Sequence, residues 1–276
     1  MKTQSRHLRL RHSRRVREVK PPMALSPWLR FGLIRSALKQ VSTGAEVLEV
    51  GCGMGSMTAR LSHRFQYLAT EEDLTSARIA STRLRMPSVT VMHGRAEAVA
   101  QGRKFDAVLA FEVLEHIRDD YGALRDWSHL LKPGGVLILS VPAKASRFGK
   151  WDVAVGHYRR YERLEIQGKL SNAGYTSISV LCYGWPVTYV TEWVRNQLVR
   201  NRSADEPRTE TLSSGRRLQP TSHFAGALTW LISLPLRLIQ WPTLKFNLGT
   251  SFVVVAKNKT RNPLFGDSTA ISSVER

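Results

Sequence analysis

The stretch Glu49-Val50-Gly51-Cys52-Gly53-Met54-Gly55 places glycines at alternate positions directly after an apolar run. Without side chains, the backbone there can turn tightly and approach a ligand closely. The amides that open the following helix also favour anionic groups. A dinucleotide-binding turn would space its glycines G-x-G-x-x-G, whereas here the third comes one residue early. Glu49 would repel a pyrophosphate but suits a ligand carrying an ammonium group. About twenty residues beyond the glycines, Glu71-Glu72-Asp73 ends a second apolar run. A carboxylate at such a strand tip can accept both hydroxyl hydrogens of a ribose. Glu71 is favoured by its count from Leu68, and Glu72 is the fallback. The plainer alternative is a solvated turn that caps the next helix. A third loop, His93-Gly94-Arg95-Ala96-Glu97, would meet a nucleobase edge at the same side of the sheet.

A second group of residues could handle protons or a metal. Glu112-Val113-Leu114-Glu115-His116 sets two carboxylates beside an imidazole, a donor set that suits a divalent cation. The favoured reading is a scaffold element closing a strand turn, with no metal assigned. His157 lies in the basic, aromatic run Gly156-His157-Tyr158-Arg159-Arg160-Tyr161, which reads as a lid. His116 and His157 are the candidate catalytic residues, because a protonated nucleophile needs a base within reach. Cys52 sits inside the glycine loop and reads as packing rather than as a nucleophile. It and Cys182 are the only cysteines. That excludes a disulfide-built scaffold and a four-cysteine zinc module, and implies free thiols in a reducing compartment.

These residues need elements to hold them. Strand-like runs at 47–50, 65–72, 89–94, 105–117 (running into a turn) and 136–142 alternate with stretches of helical spacing. Alternation of that kind implies a parallel, doubly wound α/β sheet with helices on both faces. Residues 24–41 read as an amphipathic lead-in helix. Residues 143–163 show no clear period and read as a loop or lid. A helix from Arg163, a strand to Cys182 and a last strand at 251–256 follow.

VLEVGCGMG, ATEED, GRAE, FDAVLAFEVLEHI and LLKPGGVLILSVP occur in this order. Together they resemble the class I S-adenosylmethionine-dependent methyltransferases, most nearly the branch of ubiquinone-biosynthesis O-methyltransferases. The resemblance covers about residues 40–142 and, more weakly, extends to 182. It implies a seven-stranded Rossmann-like sheet whose last strand inserts antiparallel. It also implies S-adenosylmethionine as cofactor, with Glu49, Gly51, Cys52, Gly53 and Gly55 around its methionine end and Glu71 on the ribose. Ala96 and Glu97 would flank the adenine, and Phe111 would lie against the cofactor. Relatives often carry an acid after the glycine equivalent to Gly94; Arg95 stands there, which shifts the adenine contact to backbone or Glu97. In some relatives the EVLEH string implies a divalent metal.

The resulting division is a basic tail (1–22), a methyltransferase core (23–182), a variable insertion (183–250, with 201–222 polar and flexible), a last core strand (251–260) and a disordered tail (261–276). The chain has 276 residues and a net charge of +19, and the first twenty residues carry eight basic groups against Glu18. No apolar run follows them as a secretory signal would require. Basicity alone is weak support for nucleic-acid binding, and no RNA-binding motif accompanies it. Residues 223–242 are apolar, but Pro235 and Arg237 break a run already short of the roughly twenty residues that span a bilayer. They read as a core or substrate-cover helix, or else as an interfacial helix with Trp230 and Trp241 near headgroups. The expected function is O- or N-methylation of a small or lipid-like acceptor by a cytoplasmic, at most membrane-peripheral enzyme. RNA 2′-O-methylation with a divalent metal and a catalytically inactive cofactor-binding protein are the alternatives.

Overall fold

A computed structural model of the chain describes residues 20–199 and 222–259. The expected basic tail through residue 19, the polar insertion through 221 and the tail from 261 lie outside the described residues. Seven strands form one sheet: β1 (Glu46–Val50), β2 (Gln66–Glu71), β3 (Val89–His93), β4 (Phe105–Phe111), β5 (Leu131–Pro142), β6 (Tyr175–Tyr183) and β7 (Ser251–Asn258). Their order is β3-β2-β1-β4-β5-β7-β6. β1 to β5 pair in parallel, and β7 runs antiparallel between β5 and β6.

Parallel strands buried on both faces read as near-continuous apolar runs. Alternate residues serve opposite layers: Leu48 and Val108 join one core, Val47 and Leu109 the other. The first layer is covered by α5 (Asp120–Leu130) and α7 (Arg163–Asn172), with Trp127 and Tyr161 fully buried. The second is covered by α1 (Leu25–Ala37), which buries Leu29 and Ile34.

The direction of winding reverses between β1 and β4. A crevice opens there at the carboxyl ends of the strands, and in open sheets it is where ligands bind. α2 (Thr58–Leu61), α3 (Leu74–Arg83) and α4 (Ala96–Val99) follow the first three strands on that side. The segment read as an irregular lid instead contains α6 (Lys150–Val155), ended by Gly156 in the left-handed conformation. α8 (Val187–Leu198) and α9 (His223–Gln240) complete the described chain.

α9 contradicts a simple core or cover helix. Gly226, Ser233 and Gln240, at heptad spacing, are its buried residues. Phe224 is 81% exposed, Leu231 58%, Leu238 77% and the following Trp241 73%. The polar face is buried because it has backbone to satisfy. Gln240 donates to the Leu29 carbonyl and accepts from the Gly184 amide, while Thr229 donates to the Met23 carbonyl. Among the described residues no helix is long and apolar enough to cross a membrane.

Candidate active site

A cavity of about 560 Å³ occupies the crevice. Its first half is built from the turns after β1 to β4. The Gly53 amide donates to Glu71 Oε2 at 2.7 Å, and the Asp73 amide to Glu71 Oε1 at 3.0 Å. Two loops are thereby fixed on one carboxylate at the tip of β2. Burial raises the Glu71 pKa, and the two amides pull it partly back. Gly53 has φ +55°, and a side chain there would project into open space. Glu49 is buried and accepts from Thr58 Oγ1 and Tyr67 Oη, both at 2.7 Å and both on Oε2. That arrangement leaves Oε1 for a cationic ligand. Arg95, Ala96 and Phe111 line the same half.

The second half is built from residues far apart in sequence. Asp152 is fully buried and accepts from His157 Nδ1 at 2.8 Å, from Arg160 Nε at 2.9 Å and from the Gly149 amide at 2.8 Å. Burial alone would raise its pKa; the hydrogen bonds from His157 and Arg160 outweigh that and lower it. An ionised carboxylate only accepts, so the proton of neutral His157 is assigned to Nδ1 and the lone pair to Nε2. Arg160 also pairs with Glu192 at 2.8 Å, and Glu192 with Arg147 at 2.8 Å.

His116 packs edge-on to His157, with ring centroids 4.7 Å apart. Burial, then the neighbouring His157, lowers its pKa to about 4. Glu115 is 0% exposed, and burial, then Glu112, pushes its pKa well up. Among the described residues, both Glu115 carboxylate oxygens and His116 Nδ1 are buried without a hydrogen-bond partner. Glu112 has φ +58°, uncommon for a residue with a side chain. It turns from this cluster to accept from Ser140 Oγ at 2.8 Å and to pair with Arg30 at 3.3 Å.

Residues 28–180 match the family model described as a methyltransferase domain. This chain belongs to the class I S-adenosylmethionine-dependent methyltransferases. A probable S-adenosylmethionine-dependent methyltransferase of Mycolicibacterium smegmatis is 30% identical over 152 residues, covering 53% of this chain and 58% of that protein. A ubiquinone biosynthesis O-methyltransferase of Xanthomonas campestris is 35% identical over 127 residues, covering 44% of this chain and 52% of that protein. The chain thus spans about half the length of the curated relatives it matches. Solved structures share the fold. The YcgJ protein of Bacillus subtilis has a TM-score of 0.54 at 14% identity over 83% of this chain and 97% of that one. Phosphoethanolamine N-methyltransferase 2 of Haemonchus contortus, solved with S-adenosyl-L-methionine, has 0.55 at 15% over 89% and 55%.

Most of the residues expected around the methyltransferase cofactor meet at the cavity: Glu49, Gly51, Cys52, Gly53, Glu71, Ala96 and Phe111. Two do not. Glu97 accepts from the Trp127 indole at 2.9 Å and is turned toward α5. Gly55 lies behind the loop, where a side chain would strike Leu84 at 2.7 Å. The candidate catalytic pair, His116 and His157, is brought together. The residues that sequence reasoning missed are Asp152, Arg160, Glu192, Arg30 and Arg195. Only the Asp152–His157 spacing carried a local signal.

The residues present fit both absent groups. Open space at Gly53 and a strand-tip carboxylate suit an adenosyl sulfonium. For a metal, the ligand atoms of Glu115, His116 and His157 lie within 4.8 Å of one another. Orphaned buried polar atoms cost stability unless something satisfies them. Of the Glu112-Glu115-His116 string and His157, which the sequence offered as a further ligand from a later loop, Glu115, His116 and His157 form the set an ion would satisfy, and Glu112 is turned away.

Proposed function

We propose that this methyltransferase acts on a hydroxyl oxygen of a lipid-like acceptor. The observation that carries the oxygen assignment is the Asp152–His157 pair beside the cofactor half. An activated methyl needs no base of its own; a protonated nucleophile does. S-adenosylmethionine, when bound, supplies a methyl group already activated as a sulfonium. Glu71 would hold its ribose, Glu49 its ammonium, and Phe111 would pack against it. His157 Nε2 would take the acceptor proton while Asp152 fixes the ring and stabilises its charge. The lid, tied to the Glu115 carbonyl through the Tyr158 amide at 2.8 Å, would exclude water. Were Glu115, His116 and His157 to hold a divalent ion instead, Nε2 would be a ligand rather than the base, and the ion would supply Lewis-acid activation of the hydroxyl in its place.

The lipid-like half of the reading is supported by the inverted face of α9 and by the net charge. Apolar residues with flanking tryptophans on a basic protein are what an anionic bilayer surface attracts. The named relative in ubiquinone biosynthesis is consistent with such an acceptor. The same histidine cluster also supports a ribose 2′-hydroxyl of RNA as acceptor.

The test is methyl transfer from isotopically labelled S-adenosylmethionine into a membrane lipid extract and, separately, into short RNAs. Labelled ether in the lipid fraction, lost in His157→Ala with cofactor affinity kept, is the expected result. Label in RNA, or on nitrogen or carbon, would overturn the acceptor assignment. Cofactor binding without any product would leave a binding protein.

A further inference from the structure

Among the described residues, the acceptor half of the cavity carries a guanidinium with no carboxylate in ion-pair contact. Asp152 and Glu192 are matched by Arg160 and Arg147, and Glu112 is matched by Arg30. Arg195, on α8, lines the same space. Among the described residues, no carboxylate oxygen lies within 4.0 Å of its guanidinium. Its charge is nevertheless felt by Glu112, Glu192 and Tyr183, which places it on the acceptor side.

The group is held, not trailing in solvent. Its guanidinium carbon sits 5.6 Å from the centroid of the Trp151 ring. The next residue, Asn196, accepts from the Trp151 amide at 2.9 Å and locks α6 to α8. Trp151 lines the cavity too. Burial lowers the pKa of Arg195, and the charges of Glu112 and Glu192, neither in ion-pair contact, offset this only in part. A half-buried guanidinium stacked on an indole, with donors open to a cavity, is built to receive a planar or tetrahedral oxyanion.

We propose that Arg195 binds an anionic group on the methyl acceptor, a carboxylate or a phosphate. The inference rests on the cavity being the acceptor site of a methyltransferase and adds the acceptor's charge to that reading. Arg195 is then a specificity-determining residue remote from the transferred methyl.

The test is calorimetric titration of the full chain with octanoate, octyl phosphate and octanol, with and without S-adenosylhomocysteine. The wild type is expected to bind at least one anion about tenfold more tightly than octanol, the scale of one charged hydrogen-bonding contact. Whichever anion shows the preference names its chemistry. Arg195→Gln should abolish the preference while leaving octanol and S-adenosylhomocysteine affinities unchanged. Arg195→Lys should restore part of it, which a folding defect would not. Equal wild-type affinity for all three probes, or a preference that survives in Arg195→Gln, overturns the proposal. Failure of S-adenosylhomocysteine itself to bind would sink the methyltransferase reading instead, and the two failures are read separately.

Discussion

On the proposed reading Glu71 holds the cofactor's ribose, and the effect of its removal can be sized. Two ribose hydroxyls donating to an ionised carboxylate would each contribute about 1.5–3 kcal/mol. Both oxygens already accept a backbone amide, at 2.7 and 3.0 Å, so the lower end applies. Glu71→Ala should therefore cost about 3 kcal/mol, roughly 150-fold in Kd for S-adenosylhomocysteine. Glu71→Gln keeps one acceptor oxygen and should cost about tenfold. Part of the loss in Ala would come from freeing the Gly53 amide, and a second ligand separates the two effects. The 2′-deoxyribose analogue should bind the wild type about tenfold more weakly, yet bind Glu71→Ala as well as the parent does. The pH profile follows in sign: the ionised carboxylate is the better acceptor, and its raised pKa means affinity falls with pH sooner than an ordinary Glu near 4.3 would allow. Equal penalties for the deoxy analogue in wild type and variant, or an unchanged Kd in Glu71→Gln, would refute this role for the carboxylate.

Four other outcomes are expected. Asp152→Asn takes a buried partner from Arg160; with Glu192 still present, chemical denaturation should show a loss near the low end of the usual range, about 3 kcal/mol, and kcat should fall at least a hundredfold. Glu115→Gln removes an unsatisfied buried carboxylate, so it should raise Tm in chelator but abolish any rise produced by added Mg²⁺ or Mn²⁺; a wild type indifferent to both metal and chelator would dismiss the metal. Leu231→Glu with Leu238→Glu should cut co-sedimentation with anionic vesicles more than tenfold at unchanged Tm, since each exposed leucine contributes about 1–2 kcal/mol on entering an apolar phase, whereas equal pelleting by both forms would remove the membrane contact. Burial, and for Cys52 then the charges of Glu49 and Glu71, raises both thiol pKa values, so iodoacetamide near pH 8 should modify neither while it consumes glutathione; rapid labelling of Cys52 would contradict its placement.

The first half of the cavity was legible because each of its residues lies at the end of a strand or in the turn directly behind it. Residue type and distance from the last apolar position place Gly53, Glu71 and Phe111 with little help from the rest of the chain. Two expected residues, Glu97 and Gly55, do not line the cavity, each for a local geometric reason. α4 begins at Ala96, and one helical step rotates the next side chain by about 100°. Ala96 therefore faces the cavity, and Glu97 faces Trp127. Gly55 belongs to the turn's rear wall against Leu84. The acceptor half resisted reading because its bonds span distant residues: Arg160 to Glu192, Arg147 to Glu192, Arg30 to Glu112. No periodicity or motif encodes such pairs. α9 misled for another reason. Apolar content predicts burial only when a helix can turn that face inward, and here the inward face is committed to hydrogen-bonding the backbone at Leu29, Gly184 and Met23.

The register of α8 ties the proposed acceptor's chemistry together. Thr188, Thr191, Glu192 and Arg195 recur at three- and four-residue spacing and all line the cavity. Val190, Trp193, Val194 and Leu198 fall on other sides of the same helix and are exposed. One helix thus turns a polar face, with Arg195 on it, to the cavity and an apolar face outward, the reverse of a helix that covers a core. A wall of that kind has little use for a small neutral acceptor, which needs only the cavity. It suits an amphiphile whose anionic end reaches Arg195 while its chain remains on the apolar side with α9. On that reading the two faces act on one molecule. Neutralising Arg195 and charging Leu238 should then each weaken turnover of a chain-bearing acceptor, while only the first weakens turnover of its short, soluble analogue.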